Sequence, residues 1–385
     1  MLSLRPCISG SRLPVATGPV LVAIEAIPCI VSRRAHGNLA SQRQHSYASR
    51  PSSAPLQVSQ FPSCSKRPIV KSLVPPRWPG SRALHTASAT REPVIHHVFE
   101  AKTGTWQYIV ADPSTHSAVI IDPVLDYDPA TQEITTQAAD GLLSLIKEKG
   151  YTVQRILETH AHADHLTAAS YLQKKLSEAQ GFKPPIGIGK RIGQVQNLFS
   201  RRYGIDKQEY DVVFDKLFED DEEFSIGELT AKAIHLPGHT PDHLGYHIGN
   251  NVFCGDSLFH ADIGTARCDF PGGNARDLFR SGQKLLALDE QVKIWPGHDY
   301  PPEPRGSPVP WMTVGDHKKQ NKHLGEAISE EEFIAMREER DAKLAAPRLL
   351  HQSLQVNIRG GHLPQAGESG HRMLHLPLKL NGLEW

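Results

Sequence analysis

Cysteine is scarce in this 385-residue chain: there are five, and Cys7, Cys29 and Cys64 all precede residue 92. The remaining two, Cys254 and Cys268, cannot build a disulfide framework, so a reducing compartment is expected. Acidic side chains are almost missing from residues 1–91, which hold twelve Lys or Arg and one acid, Glu25. Long apolar runs are missing as well. The most apolar stretch, from Val15 to Val31, is interrupted by Pro19, Glu25 and Pro28 and is already short for a bilayer, which argues against a membrane helix.

What fills residues 1–91 is Arg, Ser, Ala and Pro without helical or strand periodicity, the composition of an organellar transit segment. Arg82-Ala-Leu-His-Thr-Ala-Ser resembles the end of a mitochondrial presequence, so a location in the mitochondrial matrix is expected. Residues 92–385 carry 30 basic and 41 acidic side chains, a net charge of −11 that the neutral total of the whole chain conceals. Such a body lacks the basic face that phosphate neutralisation needs, and neither nucleic acid nor a membrane is expected as a partner. Solubility alone accounts for the acidity.

From Val94 onward the pattern is of short β runs cut by turns. Strands are predicted over Thr105 to Val110, Ala118 to Ile121, Arg155 to Glu158, Phe224 to His235, Leu244 to His247 and Val252 to Cys254. Helices are predicted over Ala138 to Lys149, His165 to Leu176 and Ala275 to Leu286. Ser329-Glu-Glu-Glu332 is a capping box opening one more helix, which stops by Pro347. Two runs of strands with helices between them imply a layered α/β fold whose sheets pack face to face. Residues 92–385 are read as one catalytic domain, with an extension over about 301–385.

The chemistry concentrates in Thr159-His160-Ala161-His162-Ala163-Asp164-His165, between an apolar strand and a helix. At this spacing His160 and His162 project toward one point, and Asp164 and His165 toward a second close by. Neutral imidazoles and carboxylates are good donors to a borderline divalent cation. Three later strand ends carry matching groups: Leu236-Pro237-Gly238-His239, Cys254-Gly255-Asp256 and Trp295-Pro296-Gly297-His298. Twenty-one histidines make any single His-x-His weak, but four turn-bearing strand ends with His or Asp point to a shared metal.

With Ile121-Asp122-Pro123-Val124-Leu125, Gly264-Thr265-Ala266-Arg267-Cys268-Asp269-Phe270 and His298-Asp299-Tyr300, these motifs resemble the metallo-β-lactamase superfamily from about Val94 to Tyr300, and within it the persulfide dioxygenases. The resemblance implies an αββα four-layer sandwich and the oxidation of glutathione persulfide by O₂ to sulfite and glutathione. It also implies one Fe(II) per chain, held by His160, His239 and Asp256. A longer stretch over Ser177 to Asp220 and the extension past Tyr300 are more similar to bacterial-type members than to the shorter animal-type ones.

Two histidines and a carboxylate on one face leave coordination positions open, as expected of oxygen-activating non-haem iron. In that reading His162, Asp164, His165 and His298 orient the ligands; in a zinc hydrolase they build a second metal position. The alternative is therefore a glyoxalase II-type zinc hydrolase of S-acylglutathione thioesters, possibly dinuclear in its metal. Arg267-Cys268-Asp269-Phe270 resembles the Arg-Thr-Asp-Phe of the dioxygenases and favours the first. Arg267 either clamps a substrate carboxylate or is locked by Asp269. Tyr300 either reaches the open positions as a catalytic and substrate-binding hydroxyl or is a buried structural ring. Asp122 is a candidate buttress of the first motif, and Cys268 has no neighbour that would activate it. A non-enzymatic scaffold ranks last, because structural zinc is normally closed by four strong ligands. An oligomer is compatible with these features.

Overall fold

The computed structural model describes residues 91–385 apart from Glu326, Leu383 and Trp385. The transit segment expected over residues 1–91 thus lies outside the described residues but for Arg91. Five strands open the fold: β1 (Val94–Glu100), β2 (Thr105–Ala111), β3 (Ser117–Ile121), β4 (Val124–Asp128) and β5 (Glu133–Thr135). Then come α1 (Gln137–Lys149), β6 (Thr152–Leu157), β7 (Leu166–Thr167), α2 (Ala169–Gln180), β8 (Ile186–Gly189), α3 (Ile192–Tyr203) and β9 (Lys216–Phe218). The second half runs β10 (Glu223–Ile226), β11 (Leu229–His235), β12 (Leu244–Ile248), β13 (Asn251–Gly255), α4 (Ala275–Leu286), β14 (Lys293–Pro296) and β15 (Met312–Thr313). It closes with α5 (Val314–Gln320), α6 (Glu330–Asp341) and α7 (Leu350–Asn357).

These strands form two six-stranded sheets, β1-β2-β3-β6-β8-β9 and β10-β11-β12-β13-β14-β15, plus a small sheet β5-β4-β7. The period-2 alternation of each strand decides which layer a side chain enters. On β2, Tyr108 and Val110 point between the two large sheets, where they meet Leu157, Ala233, Tyr246 and Phe253. Ile109 and Ala111 point the other way, into a core shared with α1, α2, α3 and α7. The outer face of the second sheet packs Ile234, Val252 and Ile294 on Leu278 and Leu285 of α4 and Phe333 of α6. Three apolar interfaces between four layers make the αββα sandwich. Among the described residues no helix is long and apolar enough to cross a membrane.

Two predicted elements differ. Phe224 to His235 is not one strand but the hairpin β10–β11, closed by Gly227-Glu228 with Ile226 opposite Leu229. Gly227 takes a positive φ of 57°, which a two-residue hairpin turn requires and which apolar periodicity does not reveal. The helix predicted from His165 starts at Ala169 instead, because Leu166 and Thr167 pair with Leu125 and Val124 as β7 against β4. The capping box at Ser329 is present, with Ser329 and Glu332 bonding each other's backbone N–H. The C-terminal extension is not a separate body: Leu354, Val356 and Ile358 are fully buried in the same core as α1 to α3.

Candidate metal centre

Parallel strands β3 and β6 place Asp122 beside the loop that follows β6. Asp122 sits at φ 50°, a left-handed conformation costly for a non-glycine residue and held by its surroundings. Its carboxylate accepts the Thr159 backbone N–H at 2.7 Å and the Thr159 hydroxyl at 2.8 Å. That hydroxyl has one hydrogen, already given to Asp122, so against His160 Nδ1 at 3.0 Å it accepts. The proton of His160 is therefore on Nδ1 and the Nε2 lone pair is free. Burial and the neighbouring imidazoles hold His160 well below the ordinary histidine pKa, which keeps it a neutral donor.

The other donors are fixed by the same logic. His239 follows Gly238, and its Nδ1 donates to the Arg267 carbonyl at 2.8 Å, leaving Nε2 3.6 Å from Asp256 Oδ2. Asp256 follows Gly255 (φ 48°), where a Cβ would stand 2.6 Å from Thr159 Oγ1, so only glycine lets the two loops meet. One donor atom from each of His160, His239 and Asp256 lies within 4.8 Å of the others. His160 Nε2 and Asp256 Oδ1 are buried with no hydrogen-bond partner among the described residues. A divalent cation would supply the missing partner to both, and these residues fit one.

His162 departs from expectation. It does not join His160 but belongs to a neighbouring group with Asp164 and His165. Its Nε2 turns to Asp122 at 3.1 Å and Glu158 at 3.2 Å, and its Nδ1 is left without a partner. Burial opposes a charge on this ring, yet the two carboxylates overcome it and hold its pKa well above the ordinary value. Sequence spacing cannot foresee this because Glu158 reads as the last residue of an ordinary strand. His165 donates Nδ1–H to the Leu166 carbonyl at 3.2 Å, which frees Nε2, while burial and His162 lower its pKa to about 4. His298 Nε2 is 3.0 Å from Asp164 Oδ2 and 3.6 Å from Asp256 Oδ1. Burial notwithstanding, Asp256 and Asp164 raise His298 to about 9.

Four strand ends thus meet around one buried group of imidazoles and carboxylates. A family model described as the metallo-beta-lactamase superfamily matches residues 102–298. This chain belongs to the metallo-β-lactamase superfamily. Within the superfamily it is 44% identical over 282 residues to "Glyoxylase B2" of Dictyostelium discoideum, covering 72% of this chain and 94% of that one. It is 28% identical over 281 residues to the mitochondrial persulfide dioxygenase ETHE1 of Bos taurus, covering 72% and 92%. The crystal structure of ETHE1 from Myxococcus xanthus superposes with a TM-score of 0.56 at 26% identity, over 70% of this chain and all of that one.

Asp164, His239 and Asp256 of this group line a cavity of about 550 Å³. Tyr300 lines it at half exposure, its ring stacked on His298 with centroids 5.6 Å apart, so it is not the buried structural ring. Arg267 also lines the cavity, but three of its N–H groups are committed, two to Asp269 and one to the Ala345 carbonyl. The lock, rather than the free clamp, is what the structure shows. Asp269, expected among the catalytic groups, has both oxygens on Arg267 and is absent from the cavity wall. Lys102, Asp128, Arg348 and Leu349 are also on the wall, the last two from the extension. Burial pushes the Cys268 thiol up to about 12, which leaves it inert.

Sequence reasoning missed Asp242 and His243, just after the His239 ligand. Asp242 accepts the Ala161 backbone N–H at 2.9 Å, and His243 Nε2 accepts that of Asp256 at 2.9 Å. Their signal was Pro-Gly-His-Thr-Pro-Asp-His, two further chemistry-bearing residues in one turn.

Proposed function

We propose that this protein is an Fe(II)-dependent persulfide dioxygenase of the mitochondrial matrix, oxidising glutathione persulfide with O₂ to sulfite and glutathione. The observation that carries the reading is a two-histidine, one-carboxylate donor set of which His239 and Asp256 line a cavity. The similarity to persulfide dioxygenases supports it, as does the cationic leader for the compartment.

Bound iron supplies the activation of dioxygen. His160 and His239 would hold it through Nε2, each ring being fixed by an oxygen on Nδ1. Asp256 would contribute the anionic ligand, and the cavity it lines would orient the persulfide. Lys102 and Arg348, which have no ion-pair partner among the described residues, offer positive charge to the carboxylates of a peptide thiol. Tyr300 supplies a hydroxyl at the cavity wall. In the overall reaction the outer sulfur is oxidised, dioxygen is reduced, and water provides the third oxygen of sulfite.

A second reading, a dinuclear zinc hydrolase of S-acylglutathione, is favoured by one observation: His162, Asp164 and His165 form a second donor group beside the first. The relative named "Glyoxylase B2" accords with it. Metal analysis combined with oxygen uptake on glutathione persulfide separates the two. One iron per chain with oxygen uptake is expected; two zinc per chain, thioester cleavage and no oxygen uptake would overturn the proposal.

A further inference from the structure

The loop from His162 to Thr167 bears Asp164 and His165 but has little regular structure to hold it. One buried side chain from the far end of the protein does so. Asn357, the last residue of α7, donates from Nδ2 to the His162 carbonyl at 2.7 Å and to the His165 carbonyl at 2.8 Å. Its Oδ1 accepts the Thr167 backbone N–H at 2.8 Å. Two carbonyls can only accept and an N–H can only donate, so the partners fix the orientation of the amide and use both its hydrogens. The Thr167 hydroxyl in turn bonds Glu158, whose other oxygen faces His162 Nε2 at 3.2 Å.

We propose that Asn357 is a positioning residue of the metal centre. Its amide fixes the His162–Thr167 backbone so that Asp164 and His165 face the metal group, which makes the C-terminal segment part of the active site. The inference holds for one ion or two and for either reaction. Asparagine is the required residue. Aspartate would set a carboxylate against two carbonyl oxygens, and an apolar residue would strand two buried acceptors and a donor.

The anchor is itself rigid without these bonds. Leu354, Val356 and Ile358 are fully buried, Gln196 Nε2 donates to the Ile358 carbonyl at 3.0 Å, and the Ser170 hydroxyl to the Gly361 carbonyl at 2.5 Å. Loss of the amide therefore frees the loop while the tail stays docked.

The test uses the full chain stripped of metal and titrated with Co(II), read by its d–d absorption, with hydrogen exchange of the residue 163–167 amides measured in parallel. Asn357→Asp and the smaller Asn357→Ser are compared with Gln196→Ala, which weakens tail docking without touching the loop. The Asn357 variants are expected to bind Co(II) about ten- to a hundredfold more weakly, with an altered spectrum and faster loop exchange. Gln196→Ala is expected to keep wild-type affinity and spectrum. Folded Asn357 variants with wild-type Co(II) affinity and spectrum would overturn the proposal. So would Gln196→Ala lowering the affinity equally, because docking rather than the amide would then be responsible.

Discussion

His243 Nε2 accepts the backbone N–H of Asp256 at 2.9 Å while the same ring stacks on His160 with centroids 4.8 Å apart. One imidazole thus steadies two of the three metal donors. It must be neutral to accept, and burial holds its pKa well below the ordinary value. His243→Phe keeps the stack and strands the Asp256 N–H. Metal affinity is expected to fall about ten- to a hundredfold, with a stability loss of about 1–3 kcal/mol. Competition with a chelator measures the first, and an unchanged affinity would remove His243 from the site.

Arg348 stands on the cavity wall without an ion-pair partner among the described residues. Arg348→Glu is expected to raise KM for an anionic thiol carrier by about tenfold, equivalent to 1.4 kcal/mol, and to leave kcat nearly unchanged. The paired measurement uses a carrier of similar size without carboxylates, whose KM should not move. Equal effects on both carriers would show that the charge is not read.

His323 is buried, and its Nδ1 accepts the Thr265 backbone N–H at 3.0 Å. Burial and the Arg337 and Arg340 charges lower its pKa from 6.5 to about 3. Between these values the unfolded chain holds a proton that the folded chain refuses, so stability falls as pH drops from 6.5 toward 3 and is intact above 6.5. His323→Gln keeps an acceptor but cannot titrate. Urea midpoints of this variant should decline less steeply through that window; parallel curves would contradict the assignment.

Gly238, at φ 136°, packs so closely on α4 that a Cβ would lie 2.3 Å from the Leu278 amide nitrogen. Gly238→Ala is expected to cost more than about 3 kcal/mol and to displace His239, so bound metal and melting temperature should fall together. A variant that melts and binds metal like the wild type would show that α4 can shift.

The grouping of His160, His239 and Asp256 was legible because each follows a strand end in a turn, and the two facing sheets bring those strand ends together. Helix α4 was legible to the residue: its apolar face is periodic and Asn274 caps it, accepting from the Asp277 N–H. The break in β10–β11 and the late start of α2 were not, since turn geometry and pairing with β4 override local periodicity. Nor was the part played by Asn357, which lies 192 positions beyond His165.

By itself the sequence determined the donor types, their turns and the layered alternation that buries them, because these depend on neighbours a few residues apart. The tertiary structure alone decided that His162 turns to Asp122 and Glu158, that Arg267 is held by the distant Ala345 carbonyl as well as by Asp269, and that Asn357 of the C-terminal helix bonds the loop carrying Asp164 and His165. Each of these rests on a hydrogen bond, and an orphaned donor or acceptor finds its partner by proximity in space, which chain order does not encode.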